Sequence, residues 1–111
     1  MGRKLKPHYD LNELKELLQE DDTGDIVGKA RKTAVALGYS EDDVIRKVLE
    51  LQPKHFFLSK TAFHDPKLWH DYYRLPDDDK DIDLFIKLQK GHDGVARVTS
   101  FTGYDEEYEN V

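Results

Sequence analysis

The chain of 111 residues contains no cysteine, so disulfide scaffolds, thiol catalysis and zinc-thiolate centres are excluded before any pattern is read. It also lacks any apolar run approaching the roughly 18 residues that a membrane helix requires. The basic start Met1-Gly-Arg-Lys-Leu-Lys runs into Pro7-His8 instead of the apolar segment of a secretion signal, and the expected location is cytoplasmic, with no membrane partner. Repeats, low-complexity linkers and Gly-rich phosphate loops are missing as well. A chain this short buries roughly 65% of its unfolded surface, enough for one hydrophobic core and no second domain.

An excess of basic charge is likewise absent: the formal net charge is -6. That balance argues against a phosphate-binding surface until its distribution is examined. Two short segments, 77–83 and 104–111, hold nine of the 23 acidic residues and a single basic one, Lys80. Without them, 14 acidic residues face 16 basic ones, so the body of the chain is slightly basic. The expected organisation is one domain over 1–103 followed by an acidic tail over 104–111. The tail reads as a solvated end, or as an autoinhibitory segment in which Asp105, Glu106 and Glu107 occupy a cationic site through Lys60 and Arg74.

What is present is helical grammar followed by strand grammar. Leu11, Leu14, Leu17 and Leu18 lie on one face of a helix spanning 10–20, with Asp10 and Glu13 at capping-box spacing. After a turn at Asp21-Asp22-Thr23-Gly24, the recurrence of Ile26, Ala30, Ala34 and Leu37 predicts a second helix that stops at Gly38. Ser40 and Asp43 cap a third, whose apolar face is Val44, Ile45, Val48, Leu49 and Leu51 and which Pro53 ends. Strands are predicted over 55–63, 68–74, 83–89 and 95–101, with a turn at 64–67, a polar loop over 75–81 and an Asp93-Gly94 hairpin signal. The fold class is therefore α+β, N-terminal helices packed on one face of a C-terminal antiparallel curved sheet.

Six of the twelve aromatic residues fall between Phe56 and Tyr73, and the stretch from Lys54 to Arg74 that contains them also holds Lys60, Lys67 and three of the five histidines. Phe56, Phe63 and Trp69 are expected in the core, while rings and cations on the opposite strand faces suit single-stranded RNA, whose bases stack and whose phosphates need positive charge. The pairs His64-Asp65, His70-Asp71 and His92-Asp93 lack metal-ligand spacing, and no metal is expected. A Ser59, His70 and Asp71 triad can be drawn on paper, without a nucleophile elbow to support it. Metal-free RNA cleavage is more accessible, because a ribose 2′-hydroxyl attacks its own phosphate once a base removes its proton and cations stabilise the phosphorane. His70 has the pKa range for proton transfer, and Lys60 or Arg74 could hold the phosphate.

Four phrases in register, Lys6-Pro7-His8-Tyr9-Asp10-Leu11, Ala36-Leu37-Gly38-Tyr39, Phe56-Phe57-Leu58-Ser59-Lys60-Thr61 and Trp69-His70-Asp71-Tyr72-Tyr73-Arg74, together with the ending Val98-Thr99-Ser100-Phe101, resemble the MqsR family. That family comprises bacterial mRNA interferase toxins of type II toxin-antitoxin systems with the RelE-like fold. The resemblance implies a metal-independent endoribonuclease that cuts single-stranded mRNA and inhibits translation, with no cofactor of its own. It also implies a cognate antitoxin, in that family a two-domain zinc-binding protein with a DNA-binding helix-turn-helix. His8 and Arg74 match the family pattern; the lysine, glutamine, tyrosine and lysine expected at its active site are here Leu58, His70, Phe85 and Thr102. Lys60 lies two residues from Leu58 on the same strand face, so the site residues implied are Lys60 for the phosphate, His70 for proton transfer and Arg74. His8, Phe57, Tyr73, Lys87 and Arg97 are the candidate RNA contacts. A noncatalytic RNA- or protein-binding member of the same fold is the alternative.

Overall fold

The computed structural model describes residues 2–103, so the acidic tail expected over 104–111 lies outside the described residues. The first helix, α1 (Leu11–Leu18), starts where Asp10 accepts hydrogen bonds from the Asn12 and Glu13 amides at 2.9 and 3.3 Å. The Glu13 side chain turns instead to Lys90 Nζ, 3.1 Å away. α2 (Gly28–Ala36) ends before Gly38, whose φ of +90° is the left-handed conformation that stops a helix cleanly. α3 (Glu41–Glu50) carries the reciprocal cap that its sequence announces, Asp43 N–H to Ser40 Oγ at 3.1 Å and Ser40 N–H to Asp43 Oδ2 at 2.9 Å.

The sheet has six strands in the order β1-β3-β4-β5-β6-β2, with β1 (Arg3–Lys4), β2 (Gly24–Ile26), β3 (Phe56–Thr61), β4 (Trp69–Asp77), β5 (Ile82–Lys90) and β6 (Ala96–Gly103). All neighbours are antiparallel except β2, which pairs parallel to β6. Three expectations are corrected. Ile26 is a strand residue opposite Val98, and the helix begins only at Gly28. Its spacing to Ala30 and Ala34 imitates a helix because a short strand and the following helix bury the same core. Gly24 allows this arrangement, since a Cβ there would stand 2.5 Å from Leu18 Cα. The expected loop over 75–81 begins later, because β4 continues through Leu75 and Asp77, both buried. Phe63, expected in the core, is 81% exposed, because β3 stops at Thr61 and releases it into the β3–β4 loop.

All three helices cover one face of the sheet. Tyr73 and Leu75 of β4, Leu84, Ile86 and Leu88 of β5 and Val98 and Phe101 of β6 meet Leu14, Ala30, Ala34, Val44 and Val48 there. Among these apolar residues lies a carboxylate. Asp71 is fully buried and accepts from the amides of His8 (3.0 and 3.1 Å) and Tyr9 (2.9 Å) and from Ser59 Oγ (2.6 Å). It thereby ties the N-terminal segment and β3 to β4. A second buried carboxylate, Asp77, takes the Tyr39 hydroxyl and faces Lys47 Nζ at 3.6 Å, joining α3 to the other end of β4; the Tyr39 hydrogen bond is the main influence holding its pKa below the usual value.

Removing the Asp71 carboxylate strands three donors in the interior, so Asp71→Ala is expected to lower unfolding stability by about 3 kcal/mol. Urea denaturation measures the loss. Amide exchange should show His8 and Tyr9 losing protection, and an unchanged midpoint would contradict the anchoring role.

Candidate functional site

The residues that share a face follow from strand register. Trp69, Asp71, Tyr73, Leu75 and Asp77 point to the helices, so His70, Tyr72 and Arg74 leave β4 on the opposite, outer side. On β3 the bulge at Phe56/Leu58 sets the phase: Leu58 pairs with Tyr72 and Lys60 with His70. Lys60 and His70 therefore stand directly across from each other on one face, with Cβ atoms about 5 Å apart. Lys87 on β5 is opposite Tyr72, its Nζ 4.8 Å from the ring centroid, and Lys60 Nζ approaches the same ring to 5.9 Å. Tyr72 thus lies between two ammonium groups.

Arg74 shares the face, yet stands four residues from His70, about 13 Å along the strand. Its guanidinium is bonded to Asp83 Oδ2 at 2.9 and 2.5 Å. Phe57 and Tyr72 both meet Phe85 edge-on, with centroids 6.0 and 5.6 Å away, and Phe85 is only 2% exposed. Arg97, opposite Gln89, is held by Asp93 in a two-pronged contact at 2.7 and 3.2 Å. These residues frame the Lys60–His70 pair, and Tyr72 meets Lys60 through its ring.

One expected contact is corrected. Tyr73 is completely buried on the helix side, its ring edge-on to Phe56 at 5.7 Å, where no RNA reaches it. Its hydroxyl has no hydrogen-bond partner, and burial pushes its pKa up. His8 is exposed but stands on the helix side, stacked on Trp69 at 5.0 Å and bonded to Lys4 Nζ at 2.8 Å, so the sheet separates it from Lys60. Burial and then Lys4 lower its pKa, against the pull of Asp71. The paper triad also fails, because Ser59 and Asp71 bond to each other on the helix side while His70 faces outward.

His70 sits in a polar chain that the linear sequence conceals. Its Nδ1 is 3.0 Å from Thr99 Oγ1, which in turn donates to the Lys87 carbonyl at 3.3 Å, and its Nε2 is 3.3 Å from Gln89 Nε2. With the Thr99 proton assigned to the carbonyl and the Gln89 amide nitrogen facing the ring, Nδ1 donates to Thr99 and Nε2 accepts from Gln89. This assignment corresponds to the Nδ1–H tautomer of the half-buried ring. Burial, then the Lys87 charge, hold its pKa below the ordinary histidine value, and Asp71 pulls it back only in part. Such an imidazole can accept a proton at Nε2 once Gln89 moves aside. Gln89 and Thr99 were legible only as outward positions of strands whose register was unknown.

Leu58, His70, Phe85 and Thr102, the four positions that depart from the expected active-site residues, all face outward from four different strands. Leu58 and Thr102 are nearly as buried as Phe85, and Thr102 Oγ1 has no hydrogen-bond partner. Among the described residues no group of three or more histidines and carboxylates could hold a metal ion; His92 pairs with Asp65 at 3.0 Å, joining two loops. No helix among them is long and apolar enough to cross a membrane.

A family model described as "Motility quorum-sensing regulator, toxin of MqsA" matches residues 6–103, and no curated protein matches the chain. The matched region spans every element from α1 to β6, helices first and sheet after, an architecture consistent with the RelE-like fold. The chain therefore belongs to the MqsR toxin family, a membership that implies an antitoxin partner, MqsA.

Proposed function

We propose that the chain is the toxin of a type II toxin-antitoxin pair, acting in the cytoplasm as a metal-independent endoribonuclease on single-stranded mRNA and so inhibiting translation. The observation that carries this reading is the direct cross-strand opposition of Lys60 and His70 on the sheet face opposite the three described helices. On that face His70 Nε2 takes the proton of a ribose 2′-hydroxyl, and the 2′-oxygen attacks the adjacent phosphorus. Lys60 stabilises the charge that builds on the phosphorane oxygens, and the bond to the 5′-oxygen breaks. The departing oxygen takes a proton from water, leaving a 2′,3′-cyclic phosphate and a 5′-hydroxyl. Tyr72 and Phe57 offer rings for base stacking, and Lys87 and Arg74 extend the positive track. The antitoxin, in this reading a zinc-binding protein with a helix-turn-helix domain, restrains the activity.

A noncatalytic RNA-binding member is the second reading. It is favoured by the engagement of both His70 ring nitrogens and by the apolar Leu58 and Phe85 at active-site positions.

Purified chain incubated with a long unstructured RNA in EDTA is expected to produce ends bearing 2′,3′-cyclic phosphate. Lys60→Ala and His70→Ala should each slow this by about a hundredfold. Full activity in both variants would refute the assignment, and clean folded protein that binds RNA without cutting it would establish the second reading.

Because the pKa of His70 is lowered on folding, the unfolded chain binds its proton more readily, so the contribution of His70 to stability is complete above about pH 6.5 and is lost as the pH drops below it. His70→Gln is expected to flatten that decline in urea denaturation series between about pH 7 and 5. A decline of the same size in the variant would assign the acid sensitivity elsewhere.

A further inference from the structure

β1 consists of two residues, and it places Arg3 directly opposite Lys60. Cross-strand partners share a face, so Arg3 leaves the sheet on the side of Lys60 and His70, while its neighbour Lys4 reaches the helix side and lies over the Trp69 ring at 4.3 Å. Like charges in direct opposition destabilise a strand pair, and opposite charges are the usual solution. This chain has acids in surplus, 23 against 17 basic residues. Nevertheless, neither Arg3 nor Lys60 meets a carboxylate among the described residues, whereas Arg74 is bonded to Asp83 and Arg97 to Asp93. Arg3 is exposed, and the contact found for Lys60 is the Tyr72 ring. Two cations on opposed strand positions, without an acid among the described residues and next to the His70 imidazole, offer a place for an anion.

We propose that Arg3 and Lys60 form a two-pronged clamp for one phosphodiester group of single-stranded RNA, with Arg3 as a phosphate-positioning residue. The RNA identity rests on the function proposed above; the clamp itself rests on the strand register. Arg3 precedes the matched family region, which begins at residue 6, so this prong lies outside the shared pattern. It supplies cationic density on the face where the lysine expected at position 58 is Leu58. Side chains rising from Cβ atoms about 5 Å apart converge on a single phosphate, the guanidinium giving forked donors and the ammonium a point charge. A bound phosphate also relieves the repulsion between them. The phosphate would sit beside His70 and within reach of the Tyr72 ring for the adjoining base.

A structural role and a binding role for Arg3 predict opposite outcomes. The test uses the full chain and a 2′-O-methylated oligouridylate, which lacks the attacking hydroxyl and cannot be cut. Arg3→Gln is expected to weaken binding about fivefold at low salt and to reduce the slope of log affinity against log salt by about 0.7, the value for one lost single-strand phosphate contact. Arg3→Lys should retain most of the affinity. The thermal midpoint of Arg3→Gln should equal or exceed that of the wild type. Unchanged affinity and slope, or a fall in midpoint that parallels the loss of binding, would overturn the proposal. A titration with inorganic phosphate, followed by NMR at the Arg3 and Lys60 amides, separates the clamp from its ligand. Shifts in the wild type that vanish in Arg3→Gln support the clamp, and no shift in the wild type overturns it. A phosphate response without oligonucleotide binding would retain the clamp and discard the RNA reading of this face.

Discussion

The buried carboxylate of Asp71 decides which way the sheet faces. A charge that is completely out of water survives only if hydrogen bonds replace its hydration, and here two backbone amides and one hydroxyl do so. Each donor constrains a different part of the chain: the His8 and Tyr9 amides hold the approach to α1, and Ser59 fixes the phase of β3 against β4. Tyr9 reinforces the joint through its hydroxyl, which donates to the Trp69 carbonyl at 2.9 Å and accepts from the Trp69 amide at 3.1 Å. Once Asp71 points to the helices, the period of two sends His70, Tyr72 and Arg74 outward and aligns Lys60 with His70. The candidate site is thus a consequence of a contact made on the opposite face.

The outer face differs chemically from the core because of how the layers are built. Three helices on one side bury the apolar residues of β4, β5 and β6, and none covers the other side. That side combines rings with Lys60, Lys87, Arg74 and Arg97, and it retains the polar chain through Gln89, His70 and Thr99. The net negative charge of the chain is therefore no guide to this surface, since five of its acids are concentrated within 77–83, around the turn between β4 and β5. A polyanion responds to the local arrangement of cations on the scale of a Debye length, about 8 Å at physiological salt, and much less to the total.

The helices and the four long strands were legible because their signals are local. The Ser40–Asp43 cap, the Leu14 and Leu18 spacing and the aromatic run from Phe56 depend on residues close in sequence. β1 and β2 depend on partners far away: Arg3 pairs with Lys60 and Ile26 with Val98, and segments of two or three residues carry no period of their own. The face of Tyr73 was hidden for a related reason. The alternating sets Trp69, Asp71, Tyr73 and His70, Tyr72, Arg74 each mix rings with an ionisable group, so composition does not choose between them. The choice is made by the buried Asp71 and by the length of β4, whose continuation into Leu75 and Asp77 belongs to the buried set. His8 followed the same logic, drawn to the helix side by its own amide bond to Asp71.

Local rules of sheet chemistry are followed closely away from the outer face and broken on it. On the helix side the buried carboxylates are satisfied, and Glu13 meets Lys90 across α1 and β5. Each face holds one buried hydroxyl without a partner, Tyr73 on the helix side and Thr102 on the outer side, but only the outer side sets two cations in direct opposition. A domain of this size has only a few kcal/mol of net stability, on the order of 0.1 kcal/mol per residue, so repulsion that a single carboxylate could remove is a measurable cost. The surplus of acids makes such a carboxylate easy to supply. Among the described residues no carboxylate stands beside Arg3 and Lys60, and this separates the pair from Arg97, whose charge Asp93 already answers.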